Sequence, residues 1–315
     1  MITIFSKIVA IFILMAVGFA LNKTKFVPSE VIPHLVKLLV WITTPCTIYV
    51  SITTRVYDPS ILRSTVEMLV MSVVFFCFTL LLGYLLCKKF FTVPEADLGV
   101  YMASFAGINN GFMGFPVTQA IFGQHLFYYM VISNIVLNIY IYSVCPLIIN
   151  MGDKSRKFNV KSLTKTLANP STIVCFVSMI MLVNSWQLPD ILFESVDMIG
   201  QITIPLSMLV VGMQLAESNV SKVLTNYSLV IFSFLKVTLV PAIMFLLVNW
   251  LPIATEVKVI TVFGAAFPCA VIVSAIVLIE KKNSTLAAEM VALTTLMSVV
   301  TIPVVAFLLS SYYGL

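Results

Sequence analysis

Gly107-Ile108-Asn109-Asn110-Gly111-Phe112-Met113-Gly114-Phe115-Pro116 interrupts an otherwise apolar stretch of the chain. Glycine and proline both weaken a helix interior. An asparagine amide turned to lipid would have no hydrogen-bond partner. Non-helical backbone is tolerated inside a membrane only where it is buried in protein or lines a cavity. The stretch therefore predicts a broken membrane helix beside a site. A glycine-lined packing face with a proline kink is the alternative.

The surrounding composition supplies the membrane. Of 315 residues, 60% are apolar and 10% charged, against about 25% charged in a soluble domain. Two soluble domains of this length could not be covered by so few charges. A crossing needs about 20 apolar residues, and windows of that kind fall near 2–21, 33–53, 66–87, 97–120, 126–150, 169–185, 190–215, 225–250, 256–279 and 286–311. Runs such as Met68–Leu86 are apolar on every face, which excludes the alternation of barrel strands. Lys7 ahead of an apolar run imitates a signal peptide. No small-x-small cleavage site follows, and Asn22-Lys23-Thr24-Lys25 reads as the polar end of a first span.

Basic residues orient the spans. With the N-terminus outside, Lys23, Lys25, Lys37, Lys88, Lys89, Lys154, Arg156, Lys157, Lys161, Lys165, Lys222, Lys281 and Lys282 fall inside. Only Lys7, Arg55, Arg63 and Lys258 fall outside. This satisfies the positive-inside bias and predicts a multi-pass protein of the cell inner (plasma) membrane with both termini external. It also accounts for the net charge of +5 without nucleic acid.

The basic linker 154–168 divides the chain into a first half, 1–153, and a second, 169–315, with five spans each. An odd number per half means that the second enters from the opposite side. Thr44-Pro45 then matches Ile204-Pro205, and Asn109–Pro116 corresponds to Ala265–Ala270 around Pro268. Interrupted segments at matching places in inverted halves point to a transporter's midplane site. The expected fold is an all-α integral membrane protein of ten transmembrane helices, a 5+5 inverted repeat with broken, crossing helices four and nine.

If both spans unwind and cross, N–H groups near Gly111 and Ala270 aim partial positive charge at the centre, where a carboxylate is attracted. The candidate substrate-binding residues are Asn109, Asn110, Gly111 and Pro116 of span four and Pro268, Cys269, Ala270 and Val271 of span nine. Asn134 and Asn138 join them, forming one helical stripe with Tyr142. That stripe fits either a cavity wall or interhelical hydrogen bonding. Gln201 and Gln214 flank Pro205 but are less specific.

Lys236 is the only charge near the middle of a span. It is either functional or a lysine bonded to backbone carbonyls, and an electrostatic or coupling role is assigned to it. Glu67, Asp97, Asp197 and Glu289 lie toward span ends, so a cationic substrate is disfavoured, with Glu67 left as a peripheral coupling group.

No cofactor or metal is expected. Cys46, Cys77, Cys87, Cys145, Cys175 and Cys269 are scattered without a C-x-x-C pair, and His34 and His125 sit at span ends. An intramembrane enzyme needs a nucleophile, acid or metal at depth, and neither paired carboxylates, H-E-x-x-H nor a Ser/His arrangement is present.

The motifs resemble those of the auxin efflux carrier family. Asn109–Pro116 with Ile121-Phe122-Gly123 is similar to its span four, and Ala265-Ala266-Phe267-Pro268 with Ile276-Val277-Leu278 to its span nine. Pro205 with Gly212 and Lys236 with Pro241 also match. The resemblance implies a scaffold of helices one, two, six and seven, a transport domain of helices 3–5 and 8–10, a homodimer built through the scaffold, and contact of Asn109 with a substrate carboxylate. Ile108 stands where plant members have proline, and Cys269 where they have glutamine. A small organic anion such as malate is expected rather than auxin. The expected function is a secondary carrier for small organic anions; the alternatives are an anion channel at the same crossing, or a carrier for an amino acid or auxin-like acid.

Overall fold

The computed structural model describes residues 2–55, 58–91, 93–151, 169–217 and 224–315. The basic linker 154–168 and Lys222 lie outside them. The described residues are helical, with α1 (Ile2–Lys23), α2 (Ser29–Thr53), α3 (Pro59–Lys89), α4 (Glu95–Ala106), α5 (Asn110–Ile149), α6 (Pro170–Val183), α7 (Asp190–Gln201), α8 (Thr203–Glu217), α9 (Tyr227–Asn249), α10 (Thr255–Ala265), α11 (Val271–Ile279) and α12 (Ser284–Tyr313). Seven helical stretches among them are long and apolar enough to cross a membrane. Their outward faces carry exposed apolar side chains such as Ile13, Val66, Val70 and Val300. Water would not tolerate such faces, whereas lipid covers them. The molecule is a multi-pass membrane protein.

The irregularities follow the prolines. Pro45, Pro116 and Pro146 each follow a π turn, at Leu39–Thr43, Asn110–Gly114 and Tyr140–Val144. Proline has no N–H for the carbonyl one turn back, and the ladder widens there. Pro205 follows the break at Ile202 between α7 and α8. The breaks in α2 and α7–α8 lie against each other: the Thr47 hydroxyl donates to Thr43 O at 3.0 Å and contacts Gly200 O at 2.9 Å and Thr203 Oγ1 at 2.7 Å.

α1 packs along α8, α2 against α6 and α7, α9 against α10 and α12, and α3 against α4 and α5. The α1–α8 approach is close because two glycines face it. A Cβ on Gly18 would meet Leu209 O at 2.1 Å, and one on Gly212 would meet Met15 O at 1.9 Å.

Two boundaries differ from the sequence reading. α3 starts at Pro59 rather than 66: Asp58 caps it by accepting the Ser60 N–H at 2.9 Å, and Arg63 pairs with Glu67 one turn on, at 2.9 Å. Helical geometry also runs on through 126, where a span boundary was expected, with Gly123 at φ 73°, ψ −173° as the one non-helical residue.

Candidate functional site

Two chain breaks make the site. α4 ends at Ala106, Gly107 is extended, and helical backbone resumes at Asn110; α10 ends at Ala265, and α11 resumes at Val271 after an extended Ala270. Pro268 explains the second break, since it lacks an N–H and disfavours helix at Phe267. The freed backbone groups satisfy each other. Asn109 N–H donates to Pro268 O at 2.9 Å and Ala270 N–H to Gly107 O at 3.3 Å, around an antiparallel bridge between Ile108 and Cys269. The Cys269 N–H goes to Thr294 Oγ1 at 3.0 Å. Gly107 must be small here, because a Cβ would lie 2.7 Å from Val273 Cγ2.

Beside the bridge lies a cavity of about 320 Å³ lined by Asn109, Asn110, Gly111, Asn134, Asn138, Tyr142, Thr44, Gln214, Ala270 and Val271. A second space of about 560 Å³ shares Val36, Asn109, Gln214 and Val271 with it and extends to Ser29, Glu217 and Thr295. No charged side chain lines the first space; Glu217 lines the second.

The amides differ in what they have left to offer. Asn109 Oδ1 accepts the Phe112 N–H at 3.3 Å, which leaves its NH₂ group toward the cavity. Asn134 is 9% exposed and has no hydrogen bond to the described residues. Asn138 donates to Thr172 Oγ1 at 3.1 Å, so this stripe both lines the cavity and ties α5 to α6. Asn110 is fully buried, with Nδ2 3.5 Å from Ser133 Oγ and Oδ1 without a partner among the described residues. α11 has no side-chain cap at Ala270, and the first N–H groups of a helix have no carbonyl within it.

Other candidates lie elsewhere. Pro116, Pro268 and Cys269 shape the breaks without lining either space. Lys236 is 1% exposed behind the bridge, donating to Phe105 O at 2.6 Å and Gly107 O at 3.2 Å. Glu67 is remote, held by Arg63 and by the Ala254 N–H at 2.9 Å. Among the described residues no cluster of three or more His, Cys, Asp or Glu side chains is placed to hold a metal.

A further group escaped the sequence reading. Beyond the far end of α2, Arg55 donates to the carbonyls of Gln124 and His125 and stacks over the Tyr128 ring at 4.3 Å. His125 meets Glu256 at 3.2 Å. The only signal in the sequence was a basic residue at a span end, which the charge count absorbed.

Residues 3–306 match the family described as membrane transport protein. An uncharacterized transporter of Methanocaldococcus jannaschii is 27% identical over 224 residues, covering 66% of this chain and 68% of its own. The chain therefore belongs to the membrane transport protein family, the auxin efflux carriers, and is a transporter, not an enzyme.

Proposed function

We propose that this transporter is a secondary carrier for small organic anions, malate-like carboxylates, working by alternating access where spans four and nine cross in the cell inner membrane. One observation carries the reading. The cavity beside the two breaks offers amide donors from Asn109 and Asn134 and the uncapped start of α11, and no acidic side chain lines it. A helix start carries about half a positive charge, so the site favours a carboxylate over a cation.

The ten-span inverted repeat belongs to the same proposal. At 1.5 Å per residue the helical run of α5 is about 60 Å long, twice the hydrocarbon thickness, and the bend at Gly123 divides it into two crossings. Joining α4 to the first part of α5, α7 to α8 and α10 to α11 then gives ten, with external termini, a scaffold of spans one, two, six and seven, and a homodimer through that scaffold. The larger space reaches Ser29 and Glu217, at the helix ends that the charge bias places inside, so this conformation faces the cytoplasm.

The test is counterflow of labelled malate in proteoliposomes against mono- and dicarboxylates, amino acids and an auxin-like acid. Saturable exchange with small carboxylates supports the carrier. Large single-channel currents, or exchange with amino acids alone, would overturn it.

A further inference from the structure

Lys236 is a charge that neither space touches. Its Nζ, inside α9, is held by Phe105 O at 2.6 Å and Gly107 O at 3.2 Å and lies 5.8 Å from the centre of the Phe105 ring. Gly107 O also accepts the Ala270 N–H, so a single carbonyl joins the amine to the bridge between the breaks. The ion pairs among the described residues are Arg63–Glu67, Lys88–Glu95 and His125–Glu256; none involves Lys236. Burying an ammonium without a carboxylate is costly unless oriented dipoles replace its water. The carbonyls it meets belong to the C-terminal end of α4, where partial negative charge collects and the last carbonyls have no N–H partner within the helix.

We infer that Lys236 is a resident cation of the carrier: its ammonium takes the place at the helix crossing that a bound monovalent cation would fill. It neutralises the negative end of α4 and clamps Gly107 O in the bridge. A substrate in the cavity then meets the positive helix starts without a coupling metal ion being needed to offset the negative ends. Lys236 is a positioning residue in this account, since it acts through the break and touches no substrate. The inference rests on the carboxylate reading of the cavity.

The first test needs no variant. Wild-type malate counterflow is expected to be unchanged when sodium and potassium are replaced by N-methylglucamine; a several-fold fall overturns the inference. The second uses Lys236→Ala, expected to lose more than about ten-fold in counterflow rate, as loss of hydrogen bonds from a charged group to two buried carbonyls does, and to regain much of it with added methylammonium. Lys236→Met, which keeps the apolar stem, is expected to be equally slow and not rescued. A Lys236→Ala protein that transports at the wild-type rate, or that is slow, melts like wild type and ignores methylammonium, overturns the resident cation. Methylammonium is also expected to raise the melting temperature of Lys236→Ala and not of wild type. That readout is independent of substrate, so a wild type that moves no carboxylate would sink the carrier reading while the cation site stands or falls by melting.

Discussion

The Asn109 N–H donates to the Pro268 carbonyl at 2.9 Å, so the residue whose amide faces the cavity is fixed through its backbone to the opposite break. The bond does not depend on the Asn109 side chain. Position and side chain are therefore separable at this residue: the bridge places it, and the amide lines the cavity.

Asn109→Ala is expected to keep the fold and lose transport. Its Oδ1 caps only Phe112 at 3.3 Å, and loss of such a cap costs about 1 kcal/mol, a shift of a few degrees in melting temperature. One hydrogen bond to a charged group contributes about 1.5–3 kcal/mol, so counterflow of malate should fall about ten- to a hundred-fold. Asn109→Asp keeps a capping oxygen but puts a negative charge in the cavity and should be at least as slow. If the alanine variant exchanged every substrate as fast as wild type, Asn109 would have no part in binding.

Gly123→Ala is expected to destabilise the protein through its backbone alone. Gly123 has φ 73°, and a Cβ there would meet nothing within 4 Å, so no clash is involved. Its φ, ψ pair belongs to a region that is essentially reserved for glycine and costs other residues about 1–3 kcal/mol. Thermal melting in detergent measures this. An unchanged melting temperature would mean that the bend is not fixed by that conformation.

The two breaks were legible because their cause is local: Asn109–Pro116 and Pro268 carry glycine and proline in runs that would otherwise be helical. The breaks ahead of Pro45 and Pro205 were legible in the same way, and Thr47, Gly200 and Thr203 join them in space. What could not be read depends on distant partners. Lys236 stood out as a charge, but nothing in its neighbourhood announces the Phe105 and Gly107 carbonyls. Gly18 carried no signal, since what requires it is the Leu209 backbone. Glu67 drew attention as an acid, yet its partners, Arg63 and the Ala254 N–H, mark it as a tie between α3 and the start of α10.

Gly18→Val and Gly212→Val are each expected to loosen the α1–α8 contact. The added atoms meet backbone, at 2.1 Å from Leu209 O and 1.9 Å from Met15 O, and backbone cannot rotate away as a side chain can. Overpacking of this kind costs about 1–3 kcal/mol, occasionally more. Both substitutions force the same two helices apart, so their effects should not add: the double variant should melt clearly above the sum of the single losses. Strict additivity would place the two glycines in separate contacts.

Arg55 is expected to hold the face opposite the cavities shut. Its guanidinium ties the end of α2 to the Gln124 and His125 carbonyls next to the Gly123 bend and lies over Tyr128. The Tyr128 and Tyr129 hydroxyls meet Thr65 and Ser64 of α3 at 2.7 and 2.9 Å, and His125 meets Glu256 of α10. Burial lowers the guanidinium pKa, opposed by Tyr129, Tyr128 and Glu256, but arginine starts so high that the charge persists at any physiological pH. A space of about 510 Å³ lies at Arg55, His125 and Glu256 themselves, and a void of about 10 Å³ lined by residues such as Ile108, Ser133 and Thr261 lies nearer the bridge. In a carrier that alternates between faces, Arg55→Ala should raise the population open on this side. A Thr261→Cys reporter, in a background with Cys46 and Cys77 replaced by alanine, measures it through the rate of modification by an impermeant maleimide added outside. Slow labelling with Arg55 present and several-fold faster labelling with alanine is the expected result. Equal rates would show that the arginine does not restrain opening, and the closure would then have to reside in the packing around Ile108.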